Sequence, residues 1–221
     1  MQGKLALICD CDGVLINSEA IAGAVLIREL GNRWPGIDLE ELVMPLLGVQ
    51  TERLLFNVAG LVGKRLSMIE IDEIYRAVQK EAIEAPVVDG IVNALAQIPL
   101  IKACASNSTF NYVRTAMQRT GLNAFFAERL FTADMVSNPK PAPDVYLLAA
   151  SRIGVLPEHC VVIEDSVAGA TAAVAAGMMV IGFTGTSHRP EEQKSKLLAS
   201  AASVTFANME ELPALVEKWR S

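Results

Sequence analysis

The stretch that decides the fold is Leu5-Ala6-Leu7-Ile8-Cys9-Asp10-Cys11-Asp12-Gly13-Val14. An apolar run that is continuous rather than alternating marks a strand covered on both faces. The Asp-x-Asp-Gly that ends it places charge at the strand's carboxyl end, where open α/β sheets hold their ligands. Working outward, similar short runs recur at residues 101–105, 129–132, 161–163, 179–183 and 204–206. Helical stretches separate most of them. Residues 109–120 stop at Gly121, and residues 143–153 begin with Pro143 and stop at Gly154, both signals of helix termini. In residues 209–219, Met209, Leu212, Leu215, Val216 and Trp219 share one face. This alternation predicts an α/β core, a Rossmann-like, doubly wound and mostly parallel sheet.

Residues 17–84 break the rhythm. They offer no strand, but amphipathic helical segments at 19–30, 51–58 and 68–82, punctuated by Pro35 and Pro45. The organisation expected is a core of residues 1–16 and 85–221 with an inserted all-helical cap over 17–84. At 221 residues the chain can bury a substantial core without a disulfide or metal staple. Residues 166–187 carry no charge and raise the question of a membrane span. Gly177 divides them into an Ala-rich helical piece and the β-like Met178-Met179-Val180-Ile181-Gly182-Phe183, so helix, glycine cap and buried strand are expected instead. The amino terminus reaches Asp10 too soon for the apolar region of a signal peptide.

The net charge is −6, with Lys and Arg scattered. That pattern lacks the basic footprint of a nucleic-acid binder or a polybasic membrane patch. A small-molecule partner is expected, with no nucleic acid and no membrane, and a monomer is the default. Cys9, Cys11, Cys104 and Cys160 all fall in apolar strand-like runs with no Cys-x-x-Cys pair. Buried reduced thiols, and hence a cytoplasmic protein, follow.

The chemistry gathers at the strand ends. The first run ends in Asp10-Cys11-Asp12, the second in Ser106-Asn107-Ser108, and the 161–163 run in Glu164-Asp165-Ser166. Lys140 sits in a proline-stiffened loop, Asn138-Pro139-Lys140-Pro141-Ala142-Pro143. Carboxylates alone would repel a phosphomonoester, so a cation must bridge them, and Mg²⁺ suits one or two carboxylates plus substrate oxygens. Lys140 adds fixed positive charge and Ser106 can donate to phosphoryl oxygens. Phosphoryl transfer needs chiefly positioning and charge stabilisation. Asp10 can serve as nucleophile, with Asp12 as acid and base. Ser106 and Asn107 have a competing reading, capping the helix that follows, and one can cap while the other binds. Gly60-Leu61-Val62-Gly63-Lys64-Arg65 lacks the spacing and the Ser/Thr of a phosphate-binding loop. His159 reads as structural and His188 as a surface loop residue.

In these four motifs, taken in order, the chain resembles the haloacid dehalogenase-like superfamily: Asp10-Cys11-Asp12-Gly13-Val14, Ser106, Lys140 in Lys140-Pro141-Ala142-Pro143-Asp144, and Glu164-Asp165-Ser166. The resemblance implies an aspartyl-phosphate on Asp10 and acid–base work by Asp12. It implies Mg²⁺ held by Asp10, the main-chain carbonyl of Asp12, and Asp165. Glu164 either helps that shell or only orders the loop. Residues 17–84 look like the helical cap of β-phosphoglucomutase-like proteins and sugar-phosphate phosphatases. Glu19, Gly48, Gln50, Thr51 and Asn107 are then expected to face substrate, and the loop 185–188 to approach the site mouth. The second Asp argues against dehalogenase and phosphonate chemistry. The hinge His and cap Arg of the β-phosphoglucomutase-like group appear as Ala22 and Thr51, which favours hydrolysis of a sugar or sugar-acid phosphate over phosphohexomutase activity.

Overall fold

The computed structural model describes residues 4–47 and 51–220. Contacts divide the chain into two units, one of residues 1–17 and 86–221, the other of residues 18–85. The larger unit is built on six strands: β1 (Ala6–Cys9), β2 (Ile101–Ser106), β3 (Leu130–Thr132), β4 (Cys160–Glu164), β5 (Met179–Phe183) and β6 (Val204–Phe206). They form one sheet in the order β3-β2-β1-β4-β5-β6, and every pairing is parallel. That is the doubly wound order, and its reversal between β1 and β4 opens a ligand crevice at their carboxyl ends. The register sets Cys9 beside both Cys104 and Ile163. The residues that follow these three strand ends therefore emerge side by side.

Both faces of the sheet are buried. Ala6, Ile8, Ala103, Ala105, Val162 and Val180 pack with Val145, Ala149, Ala150, Ala170 and Ala173 in one apolar cluster. The helical members come from α8 (Asp144–Ile153) and α9 (Val167–Ala175), whose alanines let helix approach sheet closely. Leu7, Cys9, Cys104, Val161, Ile163 and Ile181 alternate to the other face and are equally buried, as period-two side chains in a two-sided sheet must be. The uncharged segment resolves into α9 and β5. Gly177 takes φ +79°, with Gly177 N–H bonded to Val174 O and Met178 N–H to Ala173 O. This pair of bonds satisfies the last carbonyls of the helix. No helix among the described residues is long and apolar enough to cross a membrane. All four cysteines are buried and unbridged.

The smaller unit is helical among its described residues: α1 (Glu19–Arg33), α2 (Glu40–Val43), α3 (Thr51–Leu61) and α4 (Met68–Ala82). Leu26, Leu30, Leu54, Leu55, Ile71 and Ile74 form its own apolar cluster. Ser67 caps α4 reciprocally with Glu70. In the larger unit Asn17 N–H donates to Pro86 O and Val88 N–H to Leu15 O, so the chain leaves and rejoins the sheet at neighbouring points. The remaining helices are α5 (Ile91–Gln97), α6 (Phe110–Thr120), α7 (Asn123–Phe126), α10 (Pro190–Ala199) and α11 (Leu212–Arg220).

Ile8 is fully buried at the centre of this sheet. Ile8→Ala should lower the unfolding free energy by about 3 kcal/mol, through lost transfer energy plus a cavity. Denaturant titration followed by circular dichroism checks it.

Candidate active site

A buried ammonium organises the crevice. Lys140 Nζ donates to Asp10 Oδ1 at 2.7 Å, to Glu164 Oε1 at 2.6 Å and to the Ala105 carbonyl at 2.9 Å. Asp10 follows β1, Glu164 ends β4 and Ala105 lies near the end of β2. Three donors thus meet three acceptors, the full capacity of an ammonium. The loop carrying Lys140 is itself clamped. Asn107 Nδ2 donates to the Lys140 carbonyl at 3.1 Å, and Lys140 N–H donates to Asn107 Oδ1 at 2.9 Å. The Lys140–Pro141 peptide is cis.

Glu164 is saturated with donors. Tyr146 Oη donates to Oε1 at 2.7 Å, alongside Lys140, while Ser166 N–H at 3.1 Å and Ser166 Oγ at 2.9 Å serve Oε2. Ser166 Oγ also accepts from Gly169 N–H, capping α9. The Lys140 ammonium lies 4.8 Å from the centroid of the Tyr146 ring, within cation–π range.

Asp10, Glu164 and Asp165 each offer an oxygen within 4.8 Å of the others, and all three are buried. Two of the three, Asp10 and Glu164, bond the Lys140 ammonium, and the group could hold a divalent cation. The electrostatics agree. Burial, opposed by the Lys140 charge and reinforced by Glu164, pushes the Asp10 carboxyl from 3.8 up to about 7. A bound cation reverses that direction. Burial alone would lower the Lys140 ammonium, but Asp10 and Glu164 hold it well above the ordinary lysine value. Burial and the Glu164 charge raise the Tyr146 phenol, so it stays a donor.

Asp12 faces another way. Its Oδ1 accepts from Tyr112 Oη at 2.8 Å and its Oδ2 from Ser108 Oγ at 2.7 Å. Gly13 follows at φ +80°, and a Cβ there would lie 1.9 Å from Asp165 Oδ2. Only glycine fits that turn on both counts. Ser106 Oγ accepts from Ser108 N–H at 3.0 Å, a local turn bond. Thr186 Oγ1 donates to the Gly13 carbonyl at 2.8 Å, which brings the loop 185–188 against the first motif, while His188 is exposed. Gln193, on α10, donates its side-chain N–H to the main-chain carbonyl of Asp165.

The sequence-derived set thus divides. Asp10, Lys140, Glu164 and Asp165 converge, and Asp12 lies beside them on its own pair of hydroxyls. Asn107, expected at the substrate, engages the main chain of Lys140. Glu19 and Thr51 open α1 and α3; Gly48 and Gln50 lie outside the described residues. Sequence reasoning missed Tyr112, Tyr146, Ser108 and Gln193. Both tyrosines sit at apolar positions of helices and read there as core.

Residues 5–177 match the family model of the haloacid dehalogenase-like hydrolases. The chain is 27% identical to the 6-phosphogluconate phosphatase of Escherichia coli (strain K12), over 98% of this chain and 95% of that protein. It is 32% identical to the fructose-1-phosphate phosphatase of the same organism, over 78% of this chain and 92% of that one. Among solved structures, a conserved haloacid dehalogenase-like protein from Agrobacterium tumefaciens str. C58 superposes with a TM-score of 0.87 at 32% identity, covering 99% of this chain and all of that one.

Gly169 gives a sharp test of this packing. A Cβ there would fall 1.7 Å from Glu164 Oε1. Helix propensity alone predicts that Gly→Ala stabilises by about 1 kcal/mol. The collision should reverse the sign, costing on the order of 1–3 kcal/mol as the Glu164–Lys140 pair is displaced. Thermal unfolding of Gly169→Ala reads the sign directly.

Proposed function

Since the chain belongs to the haloacid dehalogenase-like hydrolases, we propose that it is a Mg²⁺-dependent phosphatase that cleaves a sugar phosphate or sugar-acid phosphate through an aspartyl-phosphate on Asp10. The observation that carries this reading is the buried Asp10 carboxylate, 2.7 Å from the Lys140 ammonium and grouped with Asp165 and Glu164. Asp10 attacks phosphorus, and the bond from phosphorus to the ester oxygen breaks. Asp12, on the same turn, gives its proton to the departing alcohol oxygen. Water then attacks the phosphorus of the aspartyl-phosphate while Asp12 takes its proton, releasing inorganic phosphate and restoring Asp10.

Lys140 fixes which Asp10 oxygen is turned to the buried side, so the other is presented for attack, and its charge offsets that of the phosphoryl group. The residues that would hold the ion are the carboxylates of Asp10 and Asp165 and the main-chain carbonyl of Asp12. Glu164, with four donors already on it, acts as the anchor of Lys140 rather than as a ligand. Bound there, Mg²⁺ supplies the charge neutralisation that lets a carboxylate and a phosphate dianion approach.

Hydrolysis is favoured over mutase chemistry because Ala22 and Thr51 stand where β-phosphoglucomutase-like proteins carry His and Arg, removing two groups able to retain a bisphosphate. The phosphatase relatives that act on 6-phosphogluconate and fructose 1-phosphate support a phosphorylated polyhydroxy metabolite as substrate.

Asp10→Asn should reduce phosphate release by at least about 10³-fold without loss of fold, because the nucleophile is removed. Release at the wild-type rate would sink the mechanism. Chelation with EDTA should abolish turnover, and added Mg²⁺ should restore it; unaffected turnover would exclude the metal. A panel of phosphorylated sugars and sugar acids, ranked by kcat/KM, should place such compounds above nucleotides and phosphoproteins.

A further inference from the structure

We infer that Tyr112 and Ser108 are positioning residues for Asp12: a pair of hydroxyls, one on each carboxylate oxygen, that sets where the acid–base group points. The inference deepens the phosphatase reading and rests on it.

Asp12 lies outside the carboxylate group of Asp10, Glu164 and Asp165. Its two oxygens instead accept from Tyr112 Oη at 2.8 Å and Ser108 Oγ at 2.7 Å. Donors on both oxygens fix rotation about the bond to the carboxylate carbon, which a single bond would leave open. Charge-assisted O–H···O⁻ bonds of this length are among the stronger ones in proteins. The two donors are themselves held. Tyr112 is buried on the first turn of α6. Ser108 lies in the turn that Ser106 Oγ closes through the Ser108 N–H. The clamp therefore comes from the β2–α6 connection and the first turn of α6, and Asp12 from the turn after β1.

Hydroxyls suit this task better than amide or ammonium groups. A hydroxyl donates to a carboxylate and accepts from a carboxyl. The same two partners can therefore hold Asp12 both before and after it passes its proton to the leaving oxygen, with no change of residue contacts. An ammonium in their place would favour only the ionised form. Lys140, the ammonium actually present, is taken up by Asp10, Glu164 and Ala105.

The test is a double-mutant cycle of Tyr112→Phe with Asp12→Asn, read on two aryl esters and on 6-phosphogluconate. Phenyl phosphate has a poor leaving group and needs the acid, whereas p-nitrophenyl phosphate has a good one and needs it little. Tyr112→Phe keeps the ring and deletes only the hydroxyl. It should lower kcat/KM for phenyl phosphate about tenfold, a part of the roughly 10²–10⁴-fold that general acid catalysis contributes. For p-nitrophenyl phosphate the loss should stay under about threefold, and in the Asp12→Asn background the substitution should add almost nothing. Ser108→Ala should show the same pattern. Equal losses on both aryl esters, or losses that multiply with Asp12→Asn, would overturn the clamp while leaving the phosphatase reading intact. If the wild type releases phosphate from none of the three esters, or Asp10→Asn still turns them over, the reading itself fails and the clamp falls with it.

Discussion

The structure depends on one buried charge. An ammonium removed from water is tolerated only when its hydrogens and its charge are matched, and Lys140 finds three oxygens from three strands to do so. Much of the surrounding detail follows from that requirement. Asn107 grips the lysine's main chain from both sides. Tyr146 and Ser166 fill the remaining valences of Glu164 so that its charge is not left unsatisfied. Gly169 is bare because Glu164 occupies the space a side chain would need. Removal of any one partner strands the others in a medium where unpaired charge is costly.

The same arrangement produces chemistry because the pairing is incomplete. Lys140 neutralises only part of the negative charge that the parallel sheet delivers to the β1/β4 reversal point. Asp10 responds by favouring its proton, and Asp10 and Asp165 remain as carboxylates that could hold a divalent ion. A site that is net negative alone and close to neutral with a divalent ion can admit a phosphate dianion. The fold contributes rigidity: Asp10 sits directly after a fully buried strand, with its own N–H bonded to Ile163 O.

Much of this was legible in the sequence, for stated reasons. Continuous apolar runs betrayed strands buried on two faces, and acidic or hydroxylic residues directly after them located the crevice. Strand ends shifted by a residue or so, as at Cys160–Glu164. The short helices were not legible. Ile91–Gln97 has seven residues, a glycine before it and no side-chain cap. Pro190–Ala199 buries only Leu197, so it presents no clear apolar stripe. What escaped at the site were contacts between residues far apart in the chain. Tyr112 reaches Asp12 across 100 positions, and Asn107 reaches Lys140 across 33. A tyrosine on an apolar helix face looks the same in sequence whether its hydroxyl meets water or a carboxylate.

A phosphatase of the proposed kind must form a bond between Asp10 and phosphorus. The direct measurement is rapid quenching of the enzyme during turnover of p-nitrophenyl phosphate, reduction with borohydride, and peptide mass analysis. An acyl phosphate on Asp10 would be converted to homoserine at position 10, and that is the result predicted. Phosphate release with an unmodified Asp10, or with the label on another residue, would contradict it.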